Sequence, residues 1–159
     1  VNIEDILTAD RTFCKIEAAS RKRALEEVAN KLAETIDGLN AEELFSRLIA
    51  REKMGSTALG HGIAIPHCRM AGCSNILGGL VTLSEAIDFE AYDDAKIQVM
   101  FVLIVPEEEI DEHLRVLAML AKRFETDSYR EALFSAKDAA ALYRAAITDP
   151  EPSAKQANQ

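Results

Sequence analysis

The sequence predicts a three-layer α/β domain, a mixed β-sheet flanked by helices on both faces, and three observations predict it. Ile97 to Val105 is an almost unbroken apolar run of strand length, the pattern of a central strand covered on both sides. Apolar residues at helical spacing occur in the chain before and after it, so helices and strands interleave instead of forming separate blocks. The chain has 159 residues, 48% of them hydrophobic, with only 7 glycines and 4 prolines, which is the size and balance of one ordinary globular domain.

Taken in order, Thr12 to Ile16 has the composition of a short strand. Ser20 then offers an N-cap to a helix that carries Leu25, Val28, Ala29, Leu32 and Ile36 on one face, and Gly38 ends it. Asn40 followed by Glu43 is a capping-box pattern for a second helix with the stripe Leu44, Phe45, Leu48 and Ile49. Arg51 lies at the edge of that stripe, near the helix's end. Met54 to Gly62 holds three glycines and no sustained period, so it reads as a loop. Ile63 to Pro66 is a brief extended run that proline, lacking an N–H, must end or hold at an edge, which puts His67 at the mouth of a strand.

Ile76 to Leu83 is a second long β-like run, and Ala86 to Phe89 adds a short strand. After the central run, Glu107 to Glu109 make an acidic first turn for a helix along Ile110, Leu114, Leu117, Ala121 and Phe124. Ser135 with Asp138 caps a last helix along Ala139, Leu142, Tyr143, Ala146 and Ile147. Residues 1–148 therefore form the expected domain, and 149–159, polar and with two of the prolines, a flexible tail.

The charge narrows the function. A formal net charge of −9, from 27 acidic and 18 basic side chains, opposes binding to nucleic-acid phosphate or anionic lipid and favours partners that present positive charge. No apolar run approaches the roughly 20 residues of a membrane helix, and the polar start Val1 to Asp5 has no signal pattern, so the expected location is the cytoplasm without membrane insertion. Cys14, Cys68 and Cys73 are an odd set in a chain too large to need disulfides, which suits reduced thiols.

Chemistry concentrates between Arg51 and His67, where a cation, a glycine-bounded hydroxyl loop and a histidine just after a proline come together. Neutral imidazole is a nucleophile at pH 7, because its ordinary pKa is about 6.5. Phosphoryl transfer asks mainly for positioning and charge stabilisation, which the Gly55 to Thr57 amides, the Thr57 hydroxyl and the Arg51 guanidinium are able to supply. Against this stand ordinary structural uses: an inert histidine at a strand end, a surface arginine, and turn roles for Ser56 and Thr57.

Arg51-Glu52, Gly55-Ser56-Thr57 and Gly60-His61-Gly62-Ile63-Ala64-Ile65-Pro66-His67 together resemble the signature of the enzyme IIA domains of the bacterial phosphotransferase system, in their mannitol/fructose class. The likeness continues through Leu103 to Pro106 and His113-Leu114 to the closing helices, covering roughly residues 3 to 148. It implies that His67 accepts a phosphoryl group on Nε2 from the phosphocarrier HPr or its nitrogen-branch paralogue NPr, with His113 and Arg51 as further active-site residues and no cofactor. Ala58, where many members have Gly, and Cys68, where Gly or Ala is usual, depart from the pattern.

The wording of the motif looks most like the nitrogen-regulatory branch of that class. Its implied role is to report phosphorylation state to target proteins, potassium-transport regulators among them; the alternative is a stand-alone fructose or mannitol IIA that passes phosphate to a permease IIB. Met54 and Met70, flanking the site in sequence, are expected in an apolar part of the docking surface. A metal site of His61, His67, Cys68 and Cys73 has the wrong spacing for structural zinc. A nucleotide-using kinase would need a phosphate-binding loop or kinase signature that the sequence lacks.

Overall fold

The computed structural model describes residues 2–150, so Val1 and residues 151–159, most of the expected tail, lie outside the described residues. After two short 3-10 turns the order is β1 (Thr12–Ile16), α1 (Arg21–Thr35), α2 (Ala41–Lys53), β2 (Ala58–Gly60), β3 (Ile63–Ala64), β4 (His67–Met70), β5 (Leu77–Ile87), β6 (Ile97–Pro106), α3 (Asp111–Phe124), α4 (Asp127–Ser135) and α5 (Ala139–Ile147). The strands lie in the order β1-β5-β6-β3-β2, with β4 also on β6. The β5·β6 and β2·β3 pairs are antiparallel and the rest parallel, so the sheet is mixed.

The two-residue period of β6 divides the interior into two cores. Val99, Phe101, Leu103 and Val105 join Val116, Leu120, Leu133 and Leu142 beneath α3, α4 and α5. Met100, Val102 and Ile104 join Leu25, Val28, Leu44 and Leu48 beneath α1 and α2. Helices therefore cover both faces, as expected. Three helices start on side-chain caps: Ser20 Oγ accepts from Arg23 N–H at 3.2 Å, Asn40 Oδ1 from Glu43 N–H at 2.9 Å, and Asp138 Oδ1 from Ala141 N–H at 2.7 Å.

Several elements differ from the sequence reading. The stretch from Met54 to Gly62 is not all loop: Ala58–Gly60 turns at His61-Gly62 to pair with β3, a strand too short to show a period. Gly62 takes φ +83°, and a Cβ there would sit 3.3 Å from the Lys96 carbonyl oxygen, so glycine is required at this turn. His67 follows the short β3 as expected, and it also opens a further strand, β4. Ala64 pairs with Met100 and His67 with Leu103, so β3 and β4 keep one register on β6 across the proline. Pro66, which cannot donate, still accepts from Leu103 N–H at 2.9 Å.

Ala86-Ile87 is the end of the single strand β5, which bulges between Thr82 and Ile87, and Phe89 falls outside it. Glu107 to Glu109 precede α3 instead of forming its first turn, although Glu109 Oε1 accepts from Glu112 N–H at 3.0 Å. Ser135 ends α4, a nine-residue helix whose period is too brief to read, and Asp138 alone caps α5. On α3 the buried residues are Val116, Leu120 and Phe124, while Ile110 and Leu114 are 62% and 61% exposed. The first turn of α3 thus overhangs the sheet.

Candidate functional site

Among the described residues β4, which follows the proline break, pairs only with β6, and α2 and α3 both place side chains beside it. The result is an open cavity of about 430 Å³ lined by Arg47, Ala50, Arg51 and Met54 from the α2 side, His67, Cys68 and Arg69 from β4, and His113 from α3. Alternation along β4 sends Cys68 and Met70 into the core under α1 and α2. His67 and Arg69 keep the opposite parity and stay half-buried. Met70, 4% exposed, is therefore part of the core and not of the docking surface, whereas Met54 is 84% exposed at the cavity rim.

Hydrogen bonding fixes the state of each ring. His67 Nδ1 lies 2.8 Å from the Ile65 carbonyl oxygen, which only accepts, so Nδ1 carries the proton and Nε2 has a free lone pair. Burial, and after it the Arg51 guanidinium, outweigh that bond and hold the His67 pKa below its ordinary value of 6.5, which keeps the ring neutral at pH 7. His113 Nδ1 is 3.4 Å from Arg69 Nη2, a donor, so its proton belongs on Nε2. That Nε2 is buried and has no hydrogen-bond partner among the described residues. The two rings meet edge to face, with centroids 5.3 Å apart. Burial, then the neighbouring His67 and Arg69, lower the pKa of His113 as well.

Three of the four residues singled out from sequence, His67, His113 and Arg51, line one cavity. Arg51 also donates to the Gly55 carbonyl at 2.8 Å. Thr57 is used differently from the expectation: it is buried, and its hydroxyl donates to the Glu52 carboxylate instead of facing the cavity. The loop amides are engaged too, Gly55 N–H on the Glu52 carbonyl at 3.1 Å and Thr57 N–H on Glu52 Oε2 at 3.2 Å.

Sequence reasoning missed Arg47 and Arg69. Arg69 Nη1 donates to the carbonyls of Pro106, Glu107 and Glu109 at 3.1, 3.0 and 2.5 Å, tying the β6–α3 connection to β4. Arg47 Nη1 reaches the Arg69 carbonyl at 3.1 Å. Only the parity of Arg69 with His67 on a common strand signalled it, and that strand was not foreseen. The guanidinium of Arg69 sets the tautomer of His113. Cys68 sits in the cavity floor, where burial pushes its thiol up to about 12 and leaves it un-ionised. Among the described residues no three His, Cys, Asp or Glu side chains are grouped to hold a metal ion, and no helix is long and apolar enough to cross a membrane.

A paired-histidine cavity on a three-layer α/β domain places the molecule in a class, the protein components of the phosphotransferase system: residues 5–147 match the family described as "Phosphoenolpyruvate-dependent sugar phosphotransferase system, EIIA 2". The chain belongs to this EIIA 2 family. It is 40% identical over 147 residues to the nitrogen regulatory protein of Pseudomonas aeruginosa, covering 92% of this chain and 96% of that one. The nitrogen regulatory protein of Escherichia coli is 32% identical over 158 residues, 99% and 96% of the two chains. The crystal structure of the nitrogen regulatory protein IIA-Ntr from Neisseria meningitidis superposes with a TM-score of 0.81 at 37% identity, covering 92% of this chain and 99% of that one. The mannitol IIA of Escherichia coli shares the fold, with a TM-score of 0.72 at 19% identity over 88% and 98% of the two chains.

Proposed function

We propose that the protein is a phosphoryl carrier whose acceptor is Nε2 of His67, loaded by an HPr-like or NPr phosphocarrier. The single observation that carries this reading is the Ile65 carbonyl on Nδ1, which leaves the Nε2 lone pair as the nucleophile. The lone pair attacks phosphorus, and the electrons of the donor's P–N bond return to the donor ring. His67 keeps its Nδ1 proton, so no proton need cross between the proteins. The incoming dianion meets Arg47, Arg51 and Arg69, and the Nε2–H of His113 is a further donor with no hydrogen-bond partner among the described residues.

Direct transfer requires the donor to cover the cavity. Exposed Met54, Ile110 and Leu114 supply apolar contact for it, and the −9 charge of the chain steers a partner that is basic around its own histidine. That steering is screened beyond about 8 Å at physiological salt, so the transfer rate should fall as salt is raised. The likeness to nitrogen regulatory proteins supports a regulatory use, in which phosphorylated and unphosphorylated forms present different charge to target proteins, potassium-transport regulators among them. The protein is incubated with phosphoenolpyruvate, enzyme I and HPr or NPr. Acid-labile label is expected on the wild type, and label of undiminished amount on His67→Ala would sink the reading. Transfer of that label to a sugar-permease IIB would mark the transport branch instead.

A further inference from the structure

We propose that Glu52 is a positioning residue for His67, its carboxylate holding the imidazole in the tautomer with Nε2 free through a hydrogen-bonded chain that passes through Thr57 and Ile65. The inference rests on the reading of His67 as the acceptor. Glu52 lies next to Arg51 on α2 yet is only 3% exposed, and burying a carboxylate is costly unless its oxygens are bonded. Among the described residues the cation within ion-pair reach is Arg21, at 3.9 Å, too far for a direct hydrogen bond. The oxygens are instead met by one residue: Oε2 accepts from Thr57 N–H at 3.2 Å, and Oε1 from the Thr57 hydroxyl.

From Thr57 the chain continues toward the ring. The Thr57 carbonyl accepts from Ile65 N–H at 3.0 Å, and the Ile65 carbonyl accepts from His67 Nδ1–H at 2.8 Å. Every donor in this series points toward Glu52. The N–H and C=O of each residue belong to different peptide units, so these bonds act by position, Glu52 holding Thr57, Thr57 holding Ile65 and the Ile65 oxygen seated on Nδ1, while the negative carboxylate favours the proton there through space. The negative charge of Glu52 also raises the proton affinity of His67, against the effect of burial. After transfer the ring carries substituents on both nitrogens and a positive charge, and the same negative charge favours that state. A turn staple alone has no need of an ionised acceptor; a neutral amide of equal shape would serve.

Glu52→Gln keeps the shape and loses the charge, Thr57→Val removes the hydroxyl while keeping the backbone, and Thr57→Ser restores it. Long-range ¹H–¹⁵N NMR of the unphosphorylated proteins reads the tautomer of each ring, and rapid-quench exchange with HPr or NPr reads the rate. The wild-type His67 ring is expected to be protonated at Nδ1. Glu52→Gln and Thr57→Val should admit the Nε2–H tautomer and slow exchange about tenfold. Thr57→Ser should restore both readouts, with the His113 signals unmoved throughout. If either variant fails to fold, the other still reports. A His67 ring that stays Nδ1-protonated in Glu52→Gln and Thr57→Val, whatever the rate does, overturns the proposal. A wild-type protein never labelled on His67 would refute the carrier reading alone, because the tautomer measurement needs no phosphorylation.

Discussion

On the α2 side of the His67 cavity the holding groups are buried and near in sequence, Glu52 gripping Thr57 five residues on. On the α3 side one long side chain, Arg69, reaches across to three carbonyls and a ring more than 35 positions away in the chain. The first wall belongs to a helix packed on α1 and the sheet; the second is the overhanging first turn of α3, with Ile110 and Leu114 exposed on either side of His113. The difference teaches that the two rings are held with unequal firmness, His67 by buried local bonds and His113 by one long side chain. The Ile65 carbonyl fixes the His67 ring, while the His113 wall is tied to β4 through one arginine, Arg69.

The largest effect that sharpens this contrast is expected from His113→Ala. His67 should still be labelled, with onward and reverse transfer slowed roughly 10²-fold, the scale of losing one oriented donor. Rapid-quench exchange measures it, and an unchanged rate would return His113 to an ordinary surface histidine. Arg69→Met should come next, slowing exchange on the order of tenfold or more by releasing the β6–α3 connection. Combined with His113→Ala it should add little, because Arg69 acts largely through that ring. Multiplying effects would break the comparison and assign Arg69 to the phosphoryl group directly.

Arg51→Lys should cost several-fold, about the value of exchanging a two-pronged guanidinium for a point charge, with labelling of His67 retained. Acidification has a defined sign. A protonated imidazole has no lone pair, and His67 lies below the ordinary 6.5, so the loading rate should hold as pH falls past 6.5 and decline only at lower pH. Because both lowered histidines bind protons less readily folded than unfolded, their contribution to stability is complete above 6.5 and is lost as pH falls through the folded values. A rate profile with its midpoint above 6.5 would contradict the placement of the His67 ring. The smallest effect is a control at the far end of α2 from Arg51: Asn40→Ala removes that helix's cap and should lower stability by about 1 kcal/mol, seen in thermal unfolding, with transfer unaffected.

Much of the frame was legible because periodicity reports burial. β6, the two-sided core, and the caps Ser20, Asn40 and Asp138 all followed from spacing and cap chemistry. What escaped was held by contacts without a period. Short strands such as β2 and β4 exist only by pairing with neighbours, and α4 is a short helix anchored by Tyr129, Arg130 and Leu133. The site divides the same way. His67, His113 and Arg51 were named from residue chemistry together with family resemblance, whereas Arg47 and Arg69 depend on which side of an unforeseen strand each faces. Thr57 was chosen for a free hydroxyl, and no local pattern revealed that the adjacent helix had already turned a buried carboxylate toward it.

The most direct test of the account is to phosphorylate ¹⁵N-labelled protein through phosphoenolpyruvate, enzyme I and HPr or NPr, and to read the modified nitrogen by phosphorus-coupled NMR. The account predicts one phosphoryl group, on Nε2 of His67, with Nδ1 still protonated toward Ile65. A phosphoryl group found on Nδ1, or on His113 or His61, would contradict it.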